Sequence, residues 1–139
     1  MNITSSPLIN LHTHTPLCRH ATGVVDDYCH HAIQRGMKVL GFSDHTPLPD
    51  GRWPWERMSM DELGRYNALI DHASDRYDDL VVLKGMECEY SPEYHAFFED
   101  TLLGELEFDY LIGAVHYFPH QGSWFNIFED QMNGSTFNS

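Results

Sequence analysis

"PLINLHTHTPLCRHATGVVDDYCHHAIQRGMKVLGFSDH" (residues 7–45) sets the architecture. An apolar run ends at a histidine, a helical stretch follows, and a second apolar run ends at Asp44-His45. "PLINLH" (7–12) reads as a short buried strand. "TGVVDDYCHHAIQRG" (22–36) reads as a helix: Thr22 is placed to cap it, Asp26 and Asp27 suit the positive end of its dipole, and Gly36 supplies a left-handed stop. "KVLGFSDH" (38–45) is the next strand, apolar at its start and polar at its end. Strand, helix and strand in this order predict a parallel pair joined by a right-handed crossover.

The same unit recurs downstream. "TPLPDGRWPWERM" is a Pro-rich loop long enough to wall a site. Ser59 and Glu62 have capping-box spacing, and Leu63, Tyr66, Leu69, Ile70 and Ala73 then recur as a buried helical stripe. "LVVLKGMECEY" (80–90) predicts a third strand with Val81, Val82 and Leu83 as its core. Ser91-Pro92-Glu93 opens a helix running to about Gly104, and "FDYLIGAVH" (108–116) is a fourth strand. The strand cores fall near 8–12, 38–43, 80–86 and 109–115. After His116 a short helix near 124–132 and a polar tail are expected. The class is α/β with four parallel strands.

Composition narrows the partners. Lys+Arg is 8 and Asp+Glu 21 in 139 residues, a net charge of −13. Such a chain repels phosphate backbones and anionic lipid, so nucleic acid and membrane surfaces are excluded as partners. Cys18, Cys29 and Cys88 are odd in number and irregularly spaced, which argues for reduced thiols; Cys18 and Cys88 read as inert filler. The start carries no basic, signal-like region, and apolar runs fall far short of the roughly 20 residues of a membrane helix. The expected location is the cytoplasm.

The chemistry gathers at strand ends. His12 and His14 close the first strand, His20 lies in the loop after it, Asp44-His45 close the second, Glu87 the third and His116 the fourth. A single histidine at a strand end is more often hydrogen-bonded than metal-bound. Four successive strands ending in His or Glu, at the edge where α/β folds place their sites, point to a shared metal centre. His-x-His directs both imidazoles to one side of an extended segment. Imidazole and carboxylate donors suit zinc, manganese or iron, and a glutamate can bridge two ions. Asp44 either orients a ligand from behind or caps the following turn. His30, His31 and His72 read as surface residues, and His95 as solvated or capping. His120 is a spare candidate ligand. Trp53 and Trp55 either wall a substrate or simply pack.

"LHTHTPLCRHATG", "GFSDHTPLP", "RMSMDELGRY", "KGMECEYSPEY" and "DYLIGAVHYF" together resemble the histidinol-phosphatase branch of the PHP (polymerase and histidinol phosphatase) family over residues 8–118. The resemblance implies a distorted seven-stranded (β/α) barrel, similar to a TIM barrel, holding up to three divalent ions. It implies hydrolysis of histidinol phosphate to histidinol and phosphate, in histidine biosynthesis. His12 and His14 would hold the first ion, Glu87 would bridge first and second, His116 would hold the second, and His20 and His45 the third. No side-chain nucleophile stands out, so a metal-activated hydroxide is the expected attacking group. The family's later strand-end histidine and late Asp-x-His pair have no counterpart here. Residues 1–139 therefore read as a C-terminally truncated PHP domain, expected to self-associate or to pair with a missing C-terminal half. The rival readings are a catalytically inactive metal-binding fragment and an amidohydrolase-like metallohydrolase.

Overall fold

A computed structural model describes residues 6–128. Strands β1 (Leu8–Asn10), β2 (Met37–His45), β3 (Val81–Glu89) and β4 (Tyr110–Ala114) form one sheet in the order β1-β2-β3-β4, every pair parallel. Helix α1 (Val25–Gln34) links β1 to β2, and α2 (Leu63–Arg76) links β2 to β3. A π-helical segment, Phe97–Glu105, leads into β4. An antiparallel hairpin follows, β5 (Tyr117–His120) and β6 (Ser123–Asn126).

Period-two alternation gives β2 and β3 two distinct faces. Leu40, Phe42, Val82 and Met86 join the hydrophobic core with Val25, Cys29 and Ala32 of α1 and Leu63, Tyr66, Ile70 and Ala73 of α2. Lys84 shares this face; its Nζ donates to Asn67 and Asp71 of α2 at 2.7 and 2.8 Å. The opposite face carries Gly41, Ser43 and His45 beside Leu83, Gly85 and Glu87. Here the two glycines are required by a close approach. A Cβ on Gly85 would meet the Tyr110 ring at 2.3–2.6 Å, and one on Gly41 would meet its hydroxyl at 2.2 Å. The Tyr110 ring lies in that channel, and its hydroxyl donates to the Leu11 carbonyl at 2.7 Å, so β4 is tied across the sheet to the end of β1.

The helix boundaries follow local chemistry. The Asp27 carboxylate accepts the Val24 N–H at 3.2 Å, so Asp27, and not Thr22, closes the first turn of α1. Gly36, at φ 72°, provides the expected stop. The Glu62 carboxylate accepts the Ser59 N–H at 2.9 Å and also pairs with Arg19, fastening the loop after β1 to the start of α2.

Several expectations need correction. β1 is shorter than 7–12 and is exposed, not buried, because it is the sheet edge; Leu8 and Ile9 are each 55% exposed. Leu69 falls off the packed stripe of α2 and is exposed, and so is Val81 at the outer end of β3. Val82 is packed as expected, Leu83 is half-buried, and Met86 and Cys88 complete the β3 core. Residues 124–126 form a strand, not a helix: Gln121 and Gly122, at φ 48° and 79°, make the two-residue left-handed turn that suits a hairpin. The expected helix's remainder, 129–132, lies outside the described residues.

Candidate metal centre

Register brings His45 on β2 beside Glu87 on β3. The loop after β1 folds over them because it is clamped from below. The Thr15 N–H donates to Asp44 Oδ2 at 3.0 Å, the Thr15 hydroxyl donates to the same oxygen, and the Ser43 N–H donates to the Thr13 carbonyl at 2.8 Å. Asp44 is fully buried, and burial raises its pKa against these bonds. It thus both caps the turn and stands behind His14, with Oδ1 at 3.7 Å from His14 Nδ1.

Glu87 is the hub. Its Oε2 lies 3.3 Å from His12 Nε2, 3.3 Å from His14 Nε2 and 3.4 Å from His45 Nδ1, while Oε1 lies 3.6 Å from His116 Nε2. The His12 and His14 Nε2 atoms are 3.2 Å apart. Ligand atoms about 2.1 Å from a tetrahedral ion stand roughly 3.4 Å from one another, so this triangle has the edges of a metal site. The protonation states and an unpartnered ring nitrogen agree with that fit. His14 Nδ1 is buried without a hydrogen-bond partner. Burial pushes the His45 imidazole down to about 3, so its ring stays neutral. Burial works to raise Glu87, but its hydrogen bonds with His14 and His12 outweigh that and hold its carboxyl at about 2. Neutral imidazole and ionised carboxylate are the forms that bind metal.

His20 completes the ring of imidazoles, its centroid 5.4 Å from that of His14 and 5.1 Å from that of His45. The His116 ring is 5.2 Å from His45. All six predicted residues, His12, His14, His20, His45, Glu87 and His116, line one cavity of about 400 Å³. Cys18 is buried, as expected of filler, yet its Sγ, with nitrogens of His14 and His20, forms a second group of donors within 4.8 Å of one another.

Three contributors were missed in the sequence. Glu89 is buried and accepts the His116 and Tyr117 N–H groups at 2.7 and 2.9 Å, and its Oε2 lies 2.8 Å from His116 Nδ1. That hydrogen bond raises the His116 pKa; with Nδ1 carrying the proton, Nε2 faces Glu87. The signal was legible: "ECE" repeats an acid at the strand period. Arg57, only 2% exposed, donates to the Trp53 and Thr46 carbonyls at 3.1 and 3.0 Å and so shapes the β2–α2 loop. Glu56 of that loop also lines the cavity.

The remaining candidates lie elsewhere. His120 sits on the hairpin with its ring 5.7 Å from Phe125, and is not among the cavity residues. Trp53 packs flat on Tyr117 at 3.8 Å, which resolves it as packing; Trp55 is exposed and donates to the Tyr117 hydroxyl at 3.2 Å. His30, His31, His72 and His95 are exposed. Among the described residues no helix is long and apolar enough to cross a membrane.

Known proteins share this frame. The chain is 40% identical, over 121 residues, to a Deinococcus radiodurans protein named probable histidinol-phosphatase, matching 84% of this chain and 44% of that protein. A Schizosaccharomyces pombe protein of the same name is 28% identical over 118 residues, covering 78% of this chain and 39% of that one. The Listeria monocytogenes hisK structure, whose histidinol-phosphatase assignment is itself an inference, superposes with TM-score 0.73 at 26% identity, over 86% of this chain and 48% of that one. A Lactococcus lactis histidinol phosphate phosphatase, solved with zinc, L-histidinol and phosphate, shares the fold at TM-score 0.66 and 17% identity, over 83% of this chain and 41% of that one. The chain thus spans under half the length of each, and its four parallel strands form a half-barrel matching the N-terminal part of such barrels. The PHP domain family matches residues 10–137, and the chain belongs to that family.

Proposed function

We propose that the chain carries the N-terminal portion of a metal-dependent phosphomonoesterase site for histidinol phosphate, releasing histidinol and phosphate in histidine biosynthesis. The observation that carries this reading is the His12–His14–Glu87 triangle, with edges of 3.2–3.3 Å. The name of the Deinococcus relative and the ligands of the Lactococcus neighbour support the substrate. His12, His14 and Glu87 would hold a first divalent ion (zinc, manganese or iron), Glu87 and His116 a second, and His20 and His45 a third. Bound there, the ions would neutralise phosphoryl oxygens and acidify a water. The chain's own part is positional. Glu89 fixes the His116 ring, and Asp44 holds the loop bearing His12 and His14 against β2. The net charge of −13 favours a small phosphomonoester over nucleic acid. Three buried free thiols suit a reducing, cytoplasmic setting.

A second reading, metal binding without turnover, is favoured by His12, whose side chain is 49% exposed. Zinc content after dialysis and phosphate release from histidinol phosphate separate the two. The expected outcome is fewer than three ions bound and trace release, rising when a C-terminal half from an intact relative is added. Robust turnover by the chain alone, abolished by Glu87→Ala, would overturn the expectation of trace activity. No metal in the wild type would overturn the site itself.

A further inference from the structure

Among the described residues a second set of donors converges beside the Glu87 hub: the Cys18 Sγ and nitrogens of His14 and His20, all within 4.8 Å of one another. Local folding puts them there. Thr15 caps a short 3-10 turn, Pro16–Cys18, its side chain accepting the Leu17 N–H at 3.2 Å. Arg19, at φ 73°, then reverses the chain, so that Cys18 is fully buried while His20 comes back toward His14 and His45. His14 Nδ1 is buried without a hydrogen-bond partner, and the buried Asp44 carboxylate, 3.7 Å from it, adds negative charge. Tetrahedral bonds of about 2.3 Å to sulfur and 2.1 Å to nitrogen set donors roughly 3.6 Å apart, so one ion draws this set together by about an ångström at most.

We propose that His14, Cys18 and His20 form a further metal position, one that takes thiophilic ions of the zinc and cadmium type and refuses manganese. On binding, a metal–sulfur bond forms and the Cys18 thiol gives its proton to solvent. Thiolate is a soft donor, so it supplies a selectivity that imidazole and carboxylate lack. The position also competes with the ions assigned above. A neutral imidazole offers a single acceptor nitrogen, so His14 serves either this ion or the one held with His12 and Glu87. His20 is likewise withdrawn from His45. A soft ion at Cys18 therefore takes the Glu87 centre apart. This competition rests on the phosphomonoesterase reading above; binding at Cys18 does not.

The test is titration of the full chain with cadmium, read as sulfur-to-cadmium charge-transfer absorption in the ultraviolet. Wild type should develop the band until one ion is bound per chain, and Cys88→Ser should keep it. Cys18→Ser should lack it. His20 is exposed, so His20→Ala leaves the packing intact and should weaken cadmium binding by about tenfold or more. In wild type preloaded with manganese and followed by electron spin resonance, cadmium should release the manganese at a lower concentration than in Cys18→Ser. Absence of the band in wild type, its survival in Cys18→Ser, or an unchanged affinity in His20→Ala overturns the site. Equal release of manganese from the two proteins overturns the competition. Failure of manganese to bind at all has a different meaning: the Glu87 triangle falls, and the proposed function with it, while the cadmium band and its dependence on Cys18 and His20 still decide this inference.

Discussion

The two central strands and the two outer strands carry the same kinds of residue under different physical conditions. β2 is buried from Leu40 to His45 and β3 from Lys84 to Glu89, on both faces, by helices on one side and crossing side chains on the other. β1 is exposed throughout, and no residue of β4 is fully buried. The metal donors follow suit: the side chains of His45 and Glu87 are 10% and 7% exposed, against 49% for His12. Donor geometry is thus fixed by packing at the middle of the sheet. At its β1 edge it rests on the turn that Asp44 and Ser43 hold. A site residue is only as rigid as the strand beneath it.

The sharpest way to break this contrast is metal affinity. Glu87→Ala removes the carboxylate shared by four histidines and should weaken zinc binding by more than about 100-fold. His12→Ala, at the exposed edge, should cost about tenfold, read by competition with a chromogenic chelator. Equal losses would mean that the edge is as well fixed as the centre.

Glycines give a second comparison. Gly85→Ala drives a methyl into the Tyr110 ring and should cost about 1–3 kcal/mol in denaturant unfolding. Gly113→Ala on β4 meets nothing within 4 Å and should stay within about 0.5 kcal/mol.

Acid adds a third. His45 is depressed from 6.5 to about 3, so the unfolded chain binds a proton that the folded chain refuses, and stability falls as pH drops below 6.5. Glu87 is depressed from 4.5 to about 2; its contribution is present above 4.5 and is lost as pH falls toward 2. His116 is raised by Glu89, so its contribution is full below 6.5 and fades as pH rises, which offsets His45 near neutrality. The Tm of chelator-treated protein should change little between pH 7.5 and 5.5 and fall steeply below 4.5. His45→Gln should soften that fall. The smallest effect concerns the edge itself. Leu8, Ile9 and Leu11 are exposed on or beside β1, and weak self-association should show in light scattering. A charged residue at Ile9 should abolish it, whereas a monodisperse wild type would mean the edge is covered.

The parts legible in the sequence are those governed by short-range periodicity. His45 and Glu87 could be placed together because each ends an apolar strand, and Gly36 and the Ser59–Glu62 pair announce helix ends through local hydrogen bonding. Edge and centre, by contrast, are decided by neighbours. Nothing in "LIN" or "VVL" tells that Leu8, Ile9 and Val81 lie exposed while Val82 is packed. The hairpin was hidden because Gln121, an unusual residue for a left-handed turn, stands where Asn or Asp would have announced it. Glu56 and Arg57 were hidden because a loop's course over a cavity has no period to read.

The Tyr110–Leu11 hydrogen bond has a consequence in time. Its partners are 99 residues apart, whereas Ser43, which donates to the same Leu11 carbonyl at 3.0 Å, follows after only 32. At synthesis rates of about 5–20 residues per second, Tyr110 emerges roughly 5–20 s after Leu11. The segment entering His12 and His14 is therefore tethered twice, first by Ser43 and seconds later by Tyr110, just before His116 leaves the ribosome. An ion captured early would meet imidazoles on a singly anchored chain, so the donor set matures in the order of translation.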